Sequence, residues 1–286
     1  MKKILVTGAN GQLGQCLQKI SSQFEEFEFI FTDSETLDIT NKEEVNDFFW
    51  QNAPDFCINA AAYTAVDLAE TDVEKAFLVN ADGTENLAEA CAENNAQFIH
   101  VSTDYVFDGE NNLAYTEEDF TNPLGVYGAS KLAGDELALE VNPCSVILRT
   151  SWVYSEFGKN FVKTMLNLFA TKDELNIVAD QFGQPTNAND LAEAIMKIIK
   201  SEKITPGIFN FSNLGRISWF DFAEKIAELS DAKIKLNAIE TSQYPTPAKR
   251  PKNSVLDLDK ISKTYAIQLK PWEESLEDCV QILQNN

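Results

Sequence analysis

Three glycines near the start of the chain constrain the fold more than any other feature of the sequence. Gly8, Gly11 and Gly14 are spaced three residues apart, directly after the predicted strand Lys3–Thr7 and at the start of a helical pattern over Gln12–Ser21. Glycines between a strand and a helix allow a tight turn and the close approach of a ligand to the backbone. Unpaired N–H groups at the helix start then attract phosphates. This arrangement predicts a dinucleotide-binding unit.

Short β-type runs alternate with helical patterns through the first half of the chain, which indicates βαβ units and a parallel sheet. The further strands predicted there are Glu28–Thr32, Phe56–Asn59, Gln97–Ser102 and Ser145–Arg149. The further helices predicted there are Glu43–Gln51, Val73–Asn94 and Val126–Glu140. We therefore expect an α/β fold, namely a Rossmann-type doubly wound parallel sheet with a smaller C-terminal α/β lobe that binds the substrate.

Beyond residue 150 the pattern is looser, and 286 residues suffice for a large core plus a smaller lobe. The predicted elements there are helices at Asn160–Ala170, Ala188–Lys200 and Ser218–Ser230, the last capped by Ser218, and a strand at Gly207–Phe211. Three prolines within seven residues make Gln243–Pro251 an extended loop. We predict a dinucleotide-binding Rossmann domain at 1–152 and 188–212, and the smaller lobe at 153–187 and 213–286.

The acidic composition excludes several classes of function. The chain has 45 Asp and Glu against 23 Lys and Arg, a formal net charge of −22. Such a field repels nucleic acid and anionic membranes, so we expect neither as a partner. No apolar run is long enough to span a membrane, and we expect no secretory segment. Five scattered cysteines without a CxxC pair are typical of reduced thiols, which predicts a cytoplasmic protein without a zinc site.

His100 is the only histidine, so catalysis by a histidine triad or by a multi-histidine metal site would depend on it alone. It lies in the apolar run Gln97–Val101 and is interpreted as a buried residue with satisfied hydrogen bonds rather than a catalytic one. Acid–base chemistry must therefore come from other groups.

Residues near the glycine turn complete the predicted cofactor site. Asp33 ends the second strand, 19 residues after Gly14, where a carboxylate can accept hydrogen bonds from the adenosine ribose. The alternative is that Asp33 is only a turn residue. No Arg or Lys follows closely, which favours NADH over NADPH while leaving both open. The predicted cofactor-binding residues are Gly8, Asn10, Gly11, Gln12, Leu13, Gly14, Asp33, Asp38, Ile39, Ala61, Ala62, Tyr63, Thr64, Ser102, Tyr127 and Lys131.

Tyr127 and Lys131 form the candidate catalytic pair. They are four residues apart, so on a helix both side chains point into one cleft. A tyrosine with an ordinary pKa of about 10 exchanges protons slowly at neutral pH, and a neighbouring ammonium is expected to lower that pKa. Ser102 or Thr103, at the carboxyl end of the fourth strand, can hold a substrate carbonyl beside the phenol. Such a pair arises by chance on exposed helices, but the order of motifs along this chain favours catalysis.

In these motifs the sequence resembles the extended short-chain dehydrogenases, and among them the dTDP-4-dehydrorhamnose reductases. The resemblance runs over the full length and rests on Ala60–Asp67, Ser102–Gly109, Tyr127–Lys131, Arg149–Tyr154, Asp180–Thr186 and Arg250–Ser254. It implies that NADH or NADPH reduces the 4-keto group of a nucleotide-linked sugar, dTDP-4-dehydro-L-rhamnose, to give dTDP-L-rhamnose. It also implies that Tyr127 donates the proton, Lys131 lowers its pKa and binds the nicotinamide ribose, and Thr103 bonds the keto oxygen.

The resemblance further implies substrate contacts from Asp104, Trp152 and Arg250. The alternatives are that Trp152 is a core aromatic and that Arg250 is only a loop charge. Some members dimerise through Mg²⁺ bridged by acidic residues, one of them near the start of the first helix. Here that neighbourhood holds Gln15, a neutral and weaker ligand for a hard cation. A metal-bridged dimer is therefore not expected, and monomer and homodimer both stay open.

Rival functions of the same fold differ at identifiable positions. A 4,6-dehydratase needs a second carboxyl after Thr103 and Asp104, where this chain has Tyr105. A 4-epimerase shares the tyrosine and lysine and would retain NAD⁺ throughout its cycle. A non-catalytic NADP-binding regulatory subunit is the third alternative, which the intact catalytic residues disfavour.

Overall fold

The computed structural model of the protein describes residues 1–285. Its strands are β1 (Lys2–Thr7), β2 (Phe27–Phe31), β3 (Phe56–Asn59), β4 (Gln97–Thr103), β5 (Val146–Thr150), β6 (Val153–Tyr154), β7 (Glu174–Val178), β8 (Phe182–Gly183), β9 (Thr186–Asn187), β10 (Gly207–Asn210), β11 (Ile217–Ser218) and β12 (Lys235–Ile239). Its α-helices are α1 (Gln12–Ser21), α2 (Lys42–Asn52), α3 (Val66–Ala69), α4 (Val73–Phe77), α5 (Gly83–Glu93), α6 (Val126–Val141), α7 (Phe161–Phe169), α8 (Ala188–Ile199), α9 (Trp219–Leu229), α10 (Asp259–Tyr265) and α11 (Trp272–Gln284).

A six-stranded sheet in the order β10-β5-β4-β3-β1-β2 forms the centre of the molecule, and every neighbouring pair is parallel. The direction of winding reverses between β1 and β3. In open sheets of this kind ligands bind outside the carboxyl ends of the strands at such a reversal. The predicted Rossmann-type doubly wound fold is confirmed, and its binding edge is thereby located.

Helices cover both faces of the sheet. Ile4 and Val6 of β1 pack into one core cluster with α1 and α8, and Leu5 packs into the opposite cluster with α2 and α5. Because both faces are buried, β1 is continuously apolar instead of alternating. Phe49 of α2 is fully buried in the second cluster. Truncation of such a side chain to alanine costs about 3–5 kcal/mol, so these helices are held chiefly by packing.

The helix predicted over Val73–Asn94 is interrupted, because residues 78–82 form a π-helical segment between α4 and α5. A π-helical segment widens the helix by inserting a residue. Its buried Asn80 turns toward the loop after β3, where the side chain accepts the N–H of Tyr63 and donates to the carbonyl of Tyr63. The interruption therefore holds the loop that leaves the central sheet at its binding edge.

A third core cluster belongs to the second half of the chain. It gathers α7, α9 and α11 around Phe222 and Trp272. Beside it β7 and β12 form a parallel pair that the sequence pattern did not reveal. The predicted cap Ser218 at the start of α9 is confirmed, and it forms a capping box with Asp221. We keep as a proposal the division into a domain at 1–152 and 188–212 and a lobe at 153–187 and 213–286.

Two further features bear on the class of protein. No helix within residues 1–285 is long and apolar enough to cross a membrane. All five cysteines are free thiols, and of these Cys144 alone is exposed.

Candidate active site

The glycine turn brings the ends of β1 and β3 into contact. Gly8 has a φ of +69°, and a Cβ added to it would lie 2.6 Å from the backbone nitrogen of Ala61. A Cβ on Gly14 would lie 2.4 Å from the carbonyl oxygen of Gly8. Only glycine fits at either place. Helix α1 starts after Gly11 without a side-chain cap, so its first N–H groups remain available to a phosphate. The residues present fit a dinucleotide.

A cavity of about 360 Å³ lies on one side of this turn. Its lining includes Asp33, Glu35 and Asp38, and it contains no lysine or arginine. Asp33 accepts hydrogen bonds from the side chains of Thr36 and Asn10. These bonds and those from backbone N–H groups lower the pKa of Asp33, with Thr36 contributing most. This end of the cleft is therefore anionic at neutral pH. The predicted cofactor residues that line it are Gly8, Asn10, Gly11, Asp33, Asp38, Ile39, Ala61 and Ala62.

A larger cavity of about 800 Å³ continues past the turn. It lies at the carboxyl ends of β3, β4 and β5 and reaches α6, so residues far apart in sequence meet in it. The predicted site residues that line it are Gly11, Gln12, Leu13, Ala62, Thr64, Ser102, Thr103, Asp104, Tyr127, Lys131 and Trp152. The two cavities together give one continuous candidate cleft along the binding edge of the sheet, from Asp33 to Trp152.

Tyr127 lies in the first turn of α6, whose start is held by Glu70, because the Glu70 carboxylate accepts the N–H of Val126 at 2.9 Å. The ring packs edge-on against Tyr105, with centroids 5.6 Å apart. The expected lowering of its pKa is wrong. Burial of the phenolate raises the pKa of Tyr127 to about 12 and outweighs a hydrogen bond from Thr103 that lowers it. The phenol consequently keeps its proton at neutral pH, which is the form a general acid requires.

Lys131 is buried at the inner wall of the cavity, one helical turn after Tyr127. Its Nζ donates to the carbonyl of Val101 at 2.8 Å and lies 3.0 Å from Nε2 of His100. Burial lowers the pKa of Lys131 to about 8, with Asp135 acting in the opposite direction. His100 is fully buried, as predicted, and its contact with Lys131 could not be foreseen from the apolar run around it.

Behind the pair lies a buried carboxylate. Asp135 accepts the hydroxyl of Ser102 at 2.8 Å and lies 3.5 Å from Nε of Arg149. Burial raises the pKa of Asp135, while the charges of Arg149 and Lys131 oppose that rise. Asp104 is also buried, and burial raises its pKa to about 6. The catalytic end of the cleft therefore consists of ionisable groups withdrawn from water.

Two stacked indoles form the outer wall of the larger cavity. Trp152 and Trp219 have ring centroids 3.5 Å apart and planes 10° apart. Trp152 has a φ of +47°, a conformation that bulky residues rarely adopt and that costs free energy. Sequence reasoning missed Trp219, whose one signal is its place directly after the cap Ser218. It also missed Tyr105, which follows Asp104 within a recognised motif.

Lys159 was also missed, and nothing in its sequence context marks it. It is exposed at the mouth of the larger cavity, next to Gly158. Within residues 1–285 its ammonium pairs with no other group. The side chain of Gln12 holds this segment to the glycine turn by accepting hydrogen bonds from Ser155 and Asn160. An unpaired cation therefore stands close to the predicted phosphate-binding turn.

Three of the predicted residues lie outside these two cavities. Gly14 packs beneath the turn, and the phenol of Tyr63 donates to Asp72 at 3.2 Å. Arg250 forms a bidentate pair with Asp67, with nitrogen–oxygen distances of 3.0 and 2.9 Å. It lines a neighbouring cavity of about 430 Å³, which shares Phe161 and Trp219 with the larger one.

No group of three or more His, Cys, Asp or Glu side chains in the described part of the chain is arranged to hold a metal ion. The expected weak ligand at the first helix, Gln15, donates its side-chain amide to the carbonyl of Asn10.

Comparisons with known proteins match this chain over nearly its whole length. Residues 1–285 match the family model described as RmlD substrate binding domain. A dTDP-4-dehydrorhamnose reductase of Aggregatibacter actinomycetemcomitans is 46% identical, covering 97% of this chain and 98% of that protein. A crystal structure of a dTDP-4-dehydrorhamnose reductase from Clostridium acetobutylicum is 43% identical with a TM-score of 0.94, covering 99% of each chain. One from Bacillus anthracis in complex with NADP is 38% identical with a TM-score of 0.95, covering 99% of this chain and 100% of that one.

Proposed function

Because the chain belongs to the family described as RmlD substrate binding domain, we propose that it reduces the 4-keto group of dTDP-4-dehydro-L-rhamnose to dTDP-L-rhamnose. The observation that carries this proposal is the convergence of Thr103, Tyr127 and Lys131 on one cavity that begins at the glycine turn. Support also comes from relatives named dTDP-4-dehydrorhamnose reductase that match nearly the full chain.

In the proposed reaction, bound NADH or NADPH supplies the hydride. Thr103 orients the keto oxygen through its hydroxyl. Tyr127 donates its proton to that oxygen as negative charge develops there. A phenol with a pKa of about 12 is protonated at neutral pH and is still a stronger acid than the alcohol formed. Lys131, which lines the same cavity one helical turn later, returns a proton to the phenolate.

For the substrate, the stacked indoles of Trp152 and Trp219 provide an apolar wall suited to the deoxysugar ring. Lys159 is assigned to the diphosphate, because its ammonium is unpaired in the described chain and faces the larger cavity. Arg250 remains a candidate contact for the nucleotide in the neighbouring cavity, although its guanidinium is shared with Asp67. Asp104 lines the sugar end of the cleft.

We also propose that the enzyme prefers NADH to NADPH. Asp33, Glu35 and Asp38 line the cavity at the adenosine end without any cation among its lining residues. A ribose 2′-hydroxyl can donate to a carboxylate, whereas a 2′-phosphate brings like charge against it. Hydrogen bonds from Thr36, from backbone N–H groups and from Asn10 lower the pKa of Asp33 and hold it charged.

The test is oxidation of NADH and of NADPH, followed at 340 nm with and without dTDP-4-dehydro-L-rhamnose. We expect consumption only with the sugar present, formation of dTDP-L-rhamnose, and a higher kcat/KM for NADH. Redox-neutral isomerisation of a nucleotide sugar would instead indicate an epimerase. Cofactor binding with no turnover of any 4-keto sugar nucleotide would indicate a regulatory subunit.

A further inference from the structure

Asn59 of β3 determines which ring nitrogen of His100 carries the proton. Oδ1 of Asn59 accepts the backbone N–H of Ala61 at 3.1 Å and the hydroxyl of Thr7 at 2.7 Å. Reversal of the amide would place its NH₂ group against the N–H of Ala61. Nδ2 of Asn59 is therefore the atom that lies 3.1 Å from Nδ1 of His100. Because an amide nitrogen only donates, Nδ1 must accept.

A second contact accounts for the other amide proton. The hydroxyl of Thr84 donates to the carbonyl of Asn80 at 2.9 Å, so its lone pair is free to accept from Nδ2 of Asn59 at 3.3 Å. Both protons of that NH₂ group thus have acceptors. Burial, with the charge of Lys131, lowers the pKa of His100 well below its ordinary value and disfavours the imidazolium. The neutral ring consequently carries its single proton on Nε2.

That proton faces Lys131. Nε2 of His100 lies 3.0 Å from Nζ of Lys131 and 3.7 Å from Oδ1 of Asp135. An ammonium has three donors and no acceptor, so a charged Lys131 would oppose donor to donor. An uncharged amine has a lone pair that can accept from Nε2–H, while one of its own protons still bonds the carbonyl of Val101.

We propose that His100 is a positioning residue for Lys131: held as the Nε2–H tautomer by Asn59, it donates to Nζ and favours the uncharged amine. This inference rests on the proposed function for its catalytic meaning. Lys131 then exchanges a proton readily near neutral pH, which suits a group that restores the proton given up by Tyr127.

The charged groups near His100 lie on two elements. Helix α6 contributes Lys131 and Asp135, and β5 contributes Arg149, which is paired with Asp135. Strand β3 contributes the amide of Asn59, and helix α5 contributes the hydroxyl of Thr84. Each of these elements also carries a buried thiol, Cys57 on β3 and Cys91 on α5. Asp135 favours a charged Lys131, and burial disfavours it more strongly. In the proposed arrangement, donation from Nε2–H of His100 acts at Nζ in the same direction as burial.

The first arm of the test uses the fact that the chain has one histidine. Protein made without a histidine tag and labelled with ¹⁵N-histidine gives one imidazole to observe by NMR. We expect a protonated Nε2 and an unprotonated Nδ1 from pH 6 to 9, with an Nε2 shift that titrates near pH 8 as Lys131 does. That titration should vanish in Lys131→Met while the tautomer persists. An Nδ1–H tautomer or an imidazolium at pH 7 would overturn the proposal.

The second arm compares two substitutions of similar polarity. Glutamine at position 100 places an amide N–H at the reach of Nε2, whereas asparagine reaches only as far as Nδ1. The rate of keto reduction should fall at alkaline pH as Lys131 loses its proton. We expect His100→Gln to keep that limb, and His100→Asn to move it upward by about one pH unit, a common size for environmental pKa changes. Identical limbs in wild type and both variants contradict the proposal.

The two arms separate failure of this inference from failure of the proposed function. If the protein reduced no keto sugar, the activity arm would register that directly, and the NMR arm would still decide the tautomer and the titration. A correct tautomer with an unmoved alkaline limb in His100→Asn would overturn the coupling to Lys131 while leaving the reductase assignment intact.

Discussion

The two ends of the cleft place carboxyl groups in opposite environments. At the adenosine end, Asp33 is surrounded by hydrogen-bond donors and water, and its pKa is lowered. At the catalytic end, Asp104 is buried and its pKa is raised to about 6. Both side chains follow a strand at the same edge of the sheet. The difference shows that solvent access and local donors decide whether a site holds charge or suppresses it.

The ends also differ in what builds them. The adenosine end depends on backbone: a glycine turn, uncapped N–H groups and small residues after β3. The catalytic end depends on side chains that α6, β4 and β5 bring into a dry wall. A backbone site tolerates variation around it, whereas a buried network of ionisable groups loses function when one member changes.

The largest expected effect is at the catalytic end. Tyr127→Phe removes the proposed proton donor and keeps the ring packed against Tyr105. We expect kcat to fall by at least about a hundredfold, the scale of general acid catalysis, with NADH affinity unchanged. Single-turnover rates and NADH fluorescence titration measure the two quantities. Turnover close to wild type would remove the phenol from the mechanism and make the two ends equally tolerant.

The second prediction compares the two carboxyls by stability. Burial raises the pKa of Asp104 from its ordinary 3.8 to about 6. The stability that this protonated carboxyl contributes is therefore complete below about pH 4 and is lost as the pH rises through about 6. At about 1.4 kcal/mol per pKa unit, the charged form costs the folded state on the order of 2–3 kcal/mol. Asp104→Asn removes that cost, because an amide carries no charge at either pH.

Thermal melts at pH 5 and pH 8 test this expectation. The Tm of Asp104→Asn should exceed that of the wild type more at pH 8 than at pH 5. Asp33→Asn serves as the matched control, because a lowered pKa gives the opposite sign: its loss of stability should be larger at pH 8 and shrink as pH falls through the native pKa. An Asp104→Asn difference independent of pH would show that this carboxyl is not held neutral by the fold.

The third prediction concerns Lys159, at the mouth of the larger cavity. Lys159→Met should raise the KM for the nucleotide sugar about tenfold, near the lower end of what a charged hydrogen bond contributes, and leave kcat little changed. Lys203→Met, an exposed lysine before the amino end of β10, controls for the loss of one positive charge. Equal KM values in the two variants would show that Lys159 does not bind the diphosphate.

The smallest expected effect is on cofactor choice. Asp33→Asn removes one of three carboxylates that line the adenosine cavity. We expect the preference of kcat/KM for NADH over NADPH to shrink roughly two- to fivefold, since partly exposed charge interactions contribute less than about 1 kcal/mol. Asp47→Asn on the outer surface of α2 makes the same change in net charge away from that cavity. If Asp47→Asn changed the preference for NADH as much as Asp33→Asn does, the net charge of the protein and not the carboxylates of the cavity would set that preference.

Features with a local cause were predictable from the sequence. The glycine turn depends on neighbours within one βαβ unit, and four-residue spacing alone places Tyr127 and Lys131 on one face of α6. The capping box of Ser218 and Asp221 likewise lies within four residues. The parallel sheet was also predictable, because apolar runs alternate with helical patterns along the chain. The interruption of the predicted helix at residues 78–82 was not predictable, because Asn80 is held there by contacts with the loop after β3.

By itself the sequence determined the fold class, the glycine turn and the placement of Tyr127 and Lys131 on one helix face, since each depends on residues close along the chain. Only the tertiary structure decided the environment of those groups. It buried Tyr127 and so raised its pKa against expectation, and it placed His100 beside Lys131 across two elements. It also stacked Trp219 on Trp152 and left Lys159 unpaired within the described chain. Burial and long-range contact arise from packing, and packing is a property of the whole chain.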